Sequence, residues 1–119
     1  MDRKKTGKDA EQYAERYLNQ QGLRTLLRNA YCRMGEIDLV MQERDTIVFV
    51  EVRKRRHRNY GGAAQSVDYH KQRKLIQTAR YLMLSHPQWG SQPCRFDVIA
   101  FEADLAEQEP TWYRDAFRP

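Results

Sequence analysis

The sequence contains no apolar run approaching the ~20 residues a membrane-crossing helix needs. Its basic start, M-D-R-K-K-T-G-K, has no apolar segment behind it. Neither a membrane helix nor a secretory leader is expected, and the cytoplasm is the default location. There are only two cysteines, Cys32 and Cys94. Neither sits in a C-x-x-C spacing, so no disulfide framework is expected and both read as free thiols. His57, His70 and His86 are not spaced with one another or with a cysteine as zinc ligands are. Gly61-Gly62 lacks the rest of a phosphate loop, and no G-x-S-x-G or activated-cysteine pattern occurs. No internal repeat is visible. Positive charge, by contrast, is plentiful, with 21 Lys and Arg against 16 Asp and Glu, for a net +5. That balance points to a polyanionic partner, nucleic acid foremost. A chain of 119 residues suits one compact domain, 1–119, with a single core.

The most informative stretch is Met34 to Arg53, M-G-E-I-D-L-V-M-Q-E-R-D-T-I-V-F-V-E-V-R. Ile37 to Gln42 and Thr46 to Val52 read as two strands joined by the polar turn Glu43, Arg44, Asp45. In the second strand, Ile47 and Phe49 share a face with Glu51 and Arg53, while Val48, Val50 and Val52 fill the other. Glu51 therefore continues an apolar row, and an unpaired buried charge costs several kcal/mol, roughly. Asp38 is in the same position between Ile37 and Leu39, one strand away. Two acids brought together repel unless a proton or a cation joins them, and a divalent metal does so well.

The remaining elements follow in order. Thr6 to Gln21 reads as a helix, N-capped by Thr6 or Asp9 and stopped by Gly22, with Ala10, Tyr13, Ala14, Tyr17 and Leu18 as its apolar stripe. Glu11 lies on the border of that stripe, and spacing alone reads it as a solvated first-turn acid. Leu23 to Tyr31 is a first strand. After Arg53 comes the basic run K-R-R-H-R-N-Y-G-G, a loop in which Arg55, Arg56 and Arg58 suit phosphates and Tyr60 suits a base. Ser66 to Ser85 reads as a second helix, capped by Ser66, with Leu75, Ile76, Ala79, Leu82 and Met83 inward and Lys71 near the stripe's edge. Cys94 to Phe101 is a last core strand in which Asp97 reads as a structural acid, hydrogen-bonded or ion-paired. Trp112, Tyr113 and Phe117 in the tail read as an edge element or a partner contact.

Several motifs in this order resemble the YraN family: G-K-D-A-E in the first helix, G-E-I-D-L-V at 35–40, V-F-V-E-V-R at 48–53, Y-G at 60–61, S-V-D-Y-H-K-Q-R-K-L at 66–75 and R-F-D-V at 95–98. That family is similar to archaeal Holliday junction resolvases and to the PD-(D/E)xK nucleases. The resemblance implies an α/β, restriction endonuclease-like fold, a mixed central sheet flanked by helices in the order αβββαβ. It implies catalytic roles for Glu11, Asp38, Glu51 and Arg53, with Glu11, Asp38, Glu51 and the Val52 carbonyl as magnesium ligands and manganese as an alternative. Where the superfamily motif carries Lys, this chain has Arg53, which cannot act as a general base; Lys71 is the candidate to stand in. The preferred reading is a magnesium-dependent endodeoxyribonuclease acting on branched or structured DNA in repair or recombination, with Arg55, Arg56, Arg58, Tyr60 and Lys71 on the nucleic acid. The alternative is a DNA-binding protein on a nuclease fold with weak or lost cleavage. A homodimer follows only from the resolvase resemblance, and a protein-interaction factor is the weakest reading.

Overall fold

The computed structural model describes residues 3–55, 67–102 and 110–119, with side chains for 9–54, 67–101 and 110–119. The elements run α1 (Arg3–Gln20), β1 (Arg24–Cys32), β2 (Gly35–Glu43), β3 (Thr46–Arg55), α2 (Tyr69–Ser85), β4 (Cys94–Glu102) and β5 (Thr111–Phe117), with a 3-10 turn at Pro87–Trp89. The strands form one five-stranded sheet in the order β1-β2-β3-β4-β5. β3 and β4 pair in parallel and every other neighbour is antiparallel. A parallel pair needs a crossover, and α2 lies within that connection.

Alternation along β3 sorts the core into two layers. Ile47 and Phe49 join Val40, Phe96 and Val98 under the α2 residues Leu75, Ile76, Ala79 and Leu82. Val48 and Val50 join Leu39, Met41 and Ile99 under Ala14 and Leu18 of α1. The helices therefore cover opposite faces of a sheet whose central strands are buried on both sides, which explains the nearly continuous apolar runs of β2 and β3. α2 lies close to β2: a Cβ on Gly35 would sit 3.2 Å from Thr78 Oγ1, and Thr78 returns its own hydroxyl proton to Lys74 O at 2.9 Å.

Three sequence expectations are corrected. α1 begins at Arg3, so Thr6 and Asp9 lie within the helix rather than capping it. α2 begins at Tyr69, where the Asp68 carboxylate accepts the Lys71 backbone N–H at 2.8 Å; Ser66 lies outside the described residues. Asp68 is the cap because its side chain reaches the third helical residue, the donor left without an intrahelical partner. The β2–β3 turn is shorter than expected: Glu43 pairs with Thr46, leaving Arg44 and Asp45 as the turn, with Arg44 at φ 54°. The tail segment containing Trp112, Tyr113 and Phe117 is β5, an edge strand of the sheet.

The end of α1 is as expected. Gly22 has φ 101°, its N–H donates to Asn19 O, and the Leu23 N–H donates to Leu18 O. This left-handed residue with paired return bonds is a Schellman ending, and Leu18 and Leu23 pack together in the α1 core layer. Nothing stands within 4 Å of where a Cβ on Gly22 would lie, so the only cost of a side chain there is backbone strain. Gly22→Ala is expected to lower the unfolding free energy by about 1 kcal/mol, read as a shifted urea midpoint with an unchanged slope.

Candidate active site

The two interior acids of the hairpin meet where the β2–β3 ladder opens. Its pairing runs from Glu43↔Thr46 to Leu39↔Val50, and beyond that point the Val52 N–H donates to Asp38 Oδ2 at 2.8 Å. The side-chain alternation of β2 breaks at the same place, since Ile37 packs under α2 whereas Leu39, two residues on, packs under α1. A carboxylate has replaced a strand carbonyl as the acceptor, which draws Asp38 in toward β3.

Burial, first, and then the charge of Glu51 push the Asp38 carboxyl up to about 8, against the smaller opposing effect of the Val52 N–H. A hydrogen bond with Glu51 and the charge of Glu11 add to the rise. Near neutral pH Asp38 therefore tends to keep its proton, as expected of an acid crowded by another in low dielectric. Glu51 itself is only 5 % exposed. Two cations approach its Oε2: Lys71 Nζ at 3.2 Å from α2, and Arg53 Nη1 at 3.5 Å from the same strand.

A cleft of about 280 Å³ opens over this group, and its walls include Glu11, Glu36, Asp38, Glu51, Arg53 and Lys71, together with Val52 and Lys54. The structure thus gathers Glu11, Asp38, Glu51, Val52, Arg53 and Lys71 around one opening. Glu11 is bridged to Glu36 through Asn29, whose Nδ2 donates to Glu11 Oε1 at 2.8 Å and to Glu36 Oε1 at 3.1 Å. Among the described residues, no three acidic, histidine or cysteine side chains form a ready metal cluster. Asp38 and Glu51 are the close pair, and Glu11 is a wall residue of the same cleft whose charge reaches Asp38. Arg55 ends β3, with its side chain outside the described residues, and Arg56, Arg58 and Tyr60 lie outside them altogether.

One buried carboxylate escaped the sequence reading. Glu15 accepts Thr25 Oγ1 at 2.6 Å and Arg28 Nε at 2.8 Å, and the Arg28 bond holds its carboxyl below the usual range. It ties α1 to β1, one turn along from the Glu11–Asn29 contact. The available signal was its position four residues after Glu11 and three before Leu18, on the same border of the apolar stripe.

A larger cavity of about 650 Å³ lies between the start of α2 and β5, lined by Val67, Gln72, Val98, Tyr113 and Phe117 among others. Its carboxylate, Asp68, is already engaged as the α2 cap, so it offers no comparable chemistry. The acid cleft is the better candidate because it concentrates unlike charges at partly buried positions.

Residues 10–101 match the model of an uncharacterised protein family, UPF0102. A UPF0102 protein of Stutzerimonas stutzeri is 50% identical over 112 residues, covering 94% of this chain and 93% of the relative. One from Pseudomonas syringae pv. syringae is 50% identical over 117 residues, covering 97% and 94%. Another from Alcanivorax borkumensis is 47% identical over 116 residues, covering 97% and 93%.

Proposed function

The chain belongs to the uncharacterised protein family UPF0102, and from that premise together with the acid cleft we propose that it is a magnesium-dependent endodeoxyribonuclease acting on branched or structured DNA. The observation that carries the reading is the largely buried Asp38–Glu51 pair, two crowded acids facing a cleft whose walls also hold Arg53, Lys54 and Lys71. The order of elements α1-β1-β2-β3-α2-β4 supports it by agreeing with the αβββαβ core that the resemblance implies.

The donor set suits magnesium. A hard cation takes oxygen ligands, and magnesium is commonly held by one or two carboxylates while keeping several waters. Asp38 and Glu51 would supply the two carboxylates, with Val52 and Glu11 in the walls of the same cleft. When bound, the ion supplies charge neutralisation and polarisation at a scissile phosphate. The chain's own residues do the rest. Asp38 gives up its proton, and the Val52 N–H keeps its carboxylate in place. Arg53 and Lys71 offer positive charge to the phosphate, and the sheet keeps bulk water from the floor of the site.

A second reading has its own observation. Lys71 and Arg53 both contact Glu51, so the acid is partly neutralised without any metal. A protein locked in that arrangement binds DNA without cutting it. Purified native chain, Asp38→Ala and Arg53→Lys, incubated with linear, nicked and four-way DNA in magnesium or manganese, separate the readings. Native cleavage reduced at least ~100-fold in Asp38→Ala is expected. Cleavage confined to Arg53→Lys selects the silent binder, and native cleavage undiminished in Asp38→Ala removes the metal mechanism.

A further inference from the structure

Lys71 is placed oddly for a surface cation. Its side chain is 43% exposed, yet its ammonium turns inward to within 3.2 Å of Glu51 Oε2, on a side chain that is only 6% exposed. Its backbone is pinned, because its N–H is the one that Asp68 caps at the first turn of α2. A fixed root and a flexible four-carbon stem mean that the ammonium can swing between the floor of the cleft and its mouth without any movement of the helix. The oxygen it holds belongs to one of the two carboxylates best placed for a divalent cation, and one carboxylate oxygen cannot closely bind both. A double charge arriving on Glu51 attracts the carboxylate more strongly than the ammonium does, and it repels the ammonium at the same short range. Arg53 contacts the same oxygen at 3.5 Å from within the strand, so Glu51 keeps a neighbouring cation when Lys71 leaves.

We propose that Lys71 is a phosphate-binding residue held in reserve by Glu51: a divalent cation that takes the Glu51 carboxylate releases the ammonium to the cleft mouth, where it binds a DNA phosphate. Metal and DNA are then positively coupled through one side chain. This inference rests on the nuclease reading for the identity of its two ligands. It goes further by making the order of binding matter, so that the cleft binds phosphate strongly only once it carries a cation.

The test is calorimetric titration with calcium, a divalent probe, and four-way DNA, each measured alone and in the presence of the other. For the native chain, calcium is expected to raise DNA affinity about 10-fold, and DNA to raise calcium affinity by the same factor, since linkage is reciprocal. In Lys71→Met, calcium binding without DNA is expected to strengthen, because a competitor for Glu51 is gone, and the coupling is expected to fall to about twofold or less. Lys71→Arg is expected to keep the coupling. Calcium affinity unchanged or weaker in Lys71→Met, with coupling intact, makes Lys71 only a clamp between α2 and β3 and overturns the inference. A readout independent of any variant is the Lys71 side-chain methylene resonance in the native chain. It is expected to shift on adding calcium alone, and an unshifted resonance at saturating calcium overturns the inference. Native protein that binds calcium and DNA with no coupling loses this inference and keeps the nuclease reading, whereas native protein that binds no divalent cation loses both.

Discussion

Asp38→Asn is expected to flatten the pH dependence of stability in the metal-free protein and to leave the variant roughly 5 kcal/mol more stable than the native chain near pH 9. The cause is the native carboxyl's raised pKa, about 8 against an ordinary 3.8. A group that holds its proton more tightly when folded contributes its full stability below its unfolded pKa and loses it as pH rises through its folded pKa. The native chain should therefore lose on the order of 1 kcal/mol per pH unit from about pH 4 to 8. Asparagine has no charge to lose, its carbonyl can still accept the Val52 N–H, and its amide can still donate to Glu51. The lowered carboxyls, Glu15, Glu43 and Asp115, act in the opposite direction and only toward acid pH, so they leave most of this window clear. Urea unfolding in chelator at a series of pH values measures the effect, and native and variant curves that run parallel from pH 5 to 9 would show that Asp38 is not the crowded acid described here. If magnesium binds as proposed, adding it at pH 8 should restore the native chain's lost stability and leave the variant unchanged.

The parts of this protein legible in its sequence are those set by local periodicity. The hairpin, the α1 stripe with its Gly22 ending, the inward face of α2 and the strand Cys94–Phe101 all follow from which apolar residues recur at which spacing. What spacing could not show is where long polar side chains go once elements from distant parts of the chain meet. Lys71 lay visibly at the edge of the α2 stripe, but whether it turned to solvent or to Glu51 depended on the crossover that sets α2 over β2 and β3. Glu15 and Glu11 look alike in sequence, and only the strand opposite separates them: Thr25 and Arg28 meet the first, Asn29 the second. Ser66 was the expected cap of α2, and the cap is Asp68 instead, because the helix begins at Tyr69. Interior acids were legible as anomalies in apolar strands, and Asp97 was legible as the structural one, hydrogen-bonded or ion-paired. Which partners hold it could be seen only in the fold.

Asp97→Ala is expected to lower the unfolding free energy by about 4 kcal/mol, a large fraction of the ~5–15 kcal/mol that holds a typical domain together. Asp97 is fully buried and satisfied from four directions. Arg95 Nε bonds Oδ1 at 3.0 Å and Arg95 Nη2 bonds Oδ2 at 3.1 Å, Trp112 Nε1 donates to Oδ2 at 2.9 Å, and the Asp115 N–H donates to Oδ1 at 2.9 Å. That last donor is free because the β4–β5 register shifts between Phe96 and Val98 and Asp115 adopts φ 52°, a bulge on β5. Asp38 likewise accepts a strand N–H beside a break in its ladder, but Asp97 also has a guanidinium against both oxygens, and Arg95 is further tied to Glu43 at 2.8 Å. Asp97 is neutralised by its guanidinium, whereas Asp38 is crowded by a second acid. Removing the Asp97 carboxylate leaves the half-buried Arg95 charge with Glu43 alone and strands the indole N–H and the Asp115 N–H, two bonds that add to the β4–β5 ladder in holding β5 on the sheet. The loss should therefore be local as well as global: Trp112 fluorescence should shift to the red and amide exchange should rise along Thr111–Phe117 before the rest of the sheet. Asp97→Ala together with Arg95→Met removes the Arg95 charge as well and should recover part of the loss. A double variant as unstable as the two single losses summed would mean that the pair does not act as a unit, and unaltered exchange in β5 would mean that Asp97 does not hold that strand.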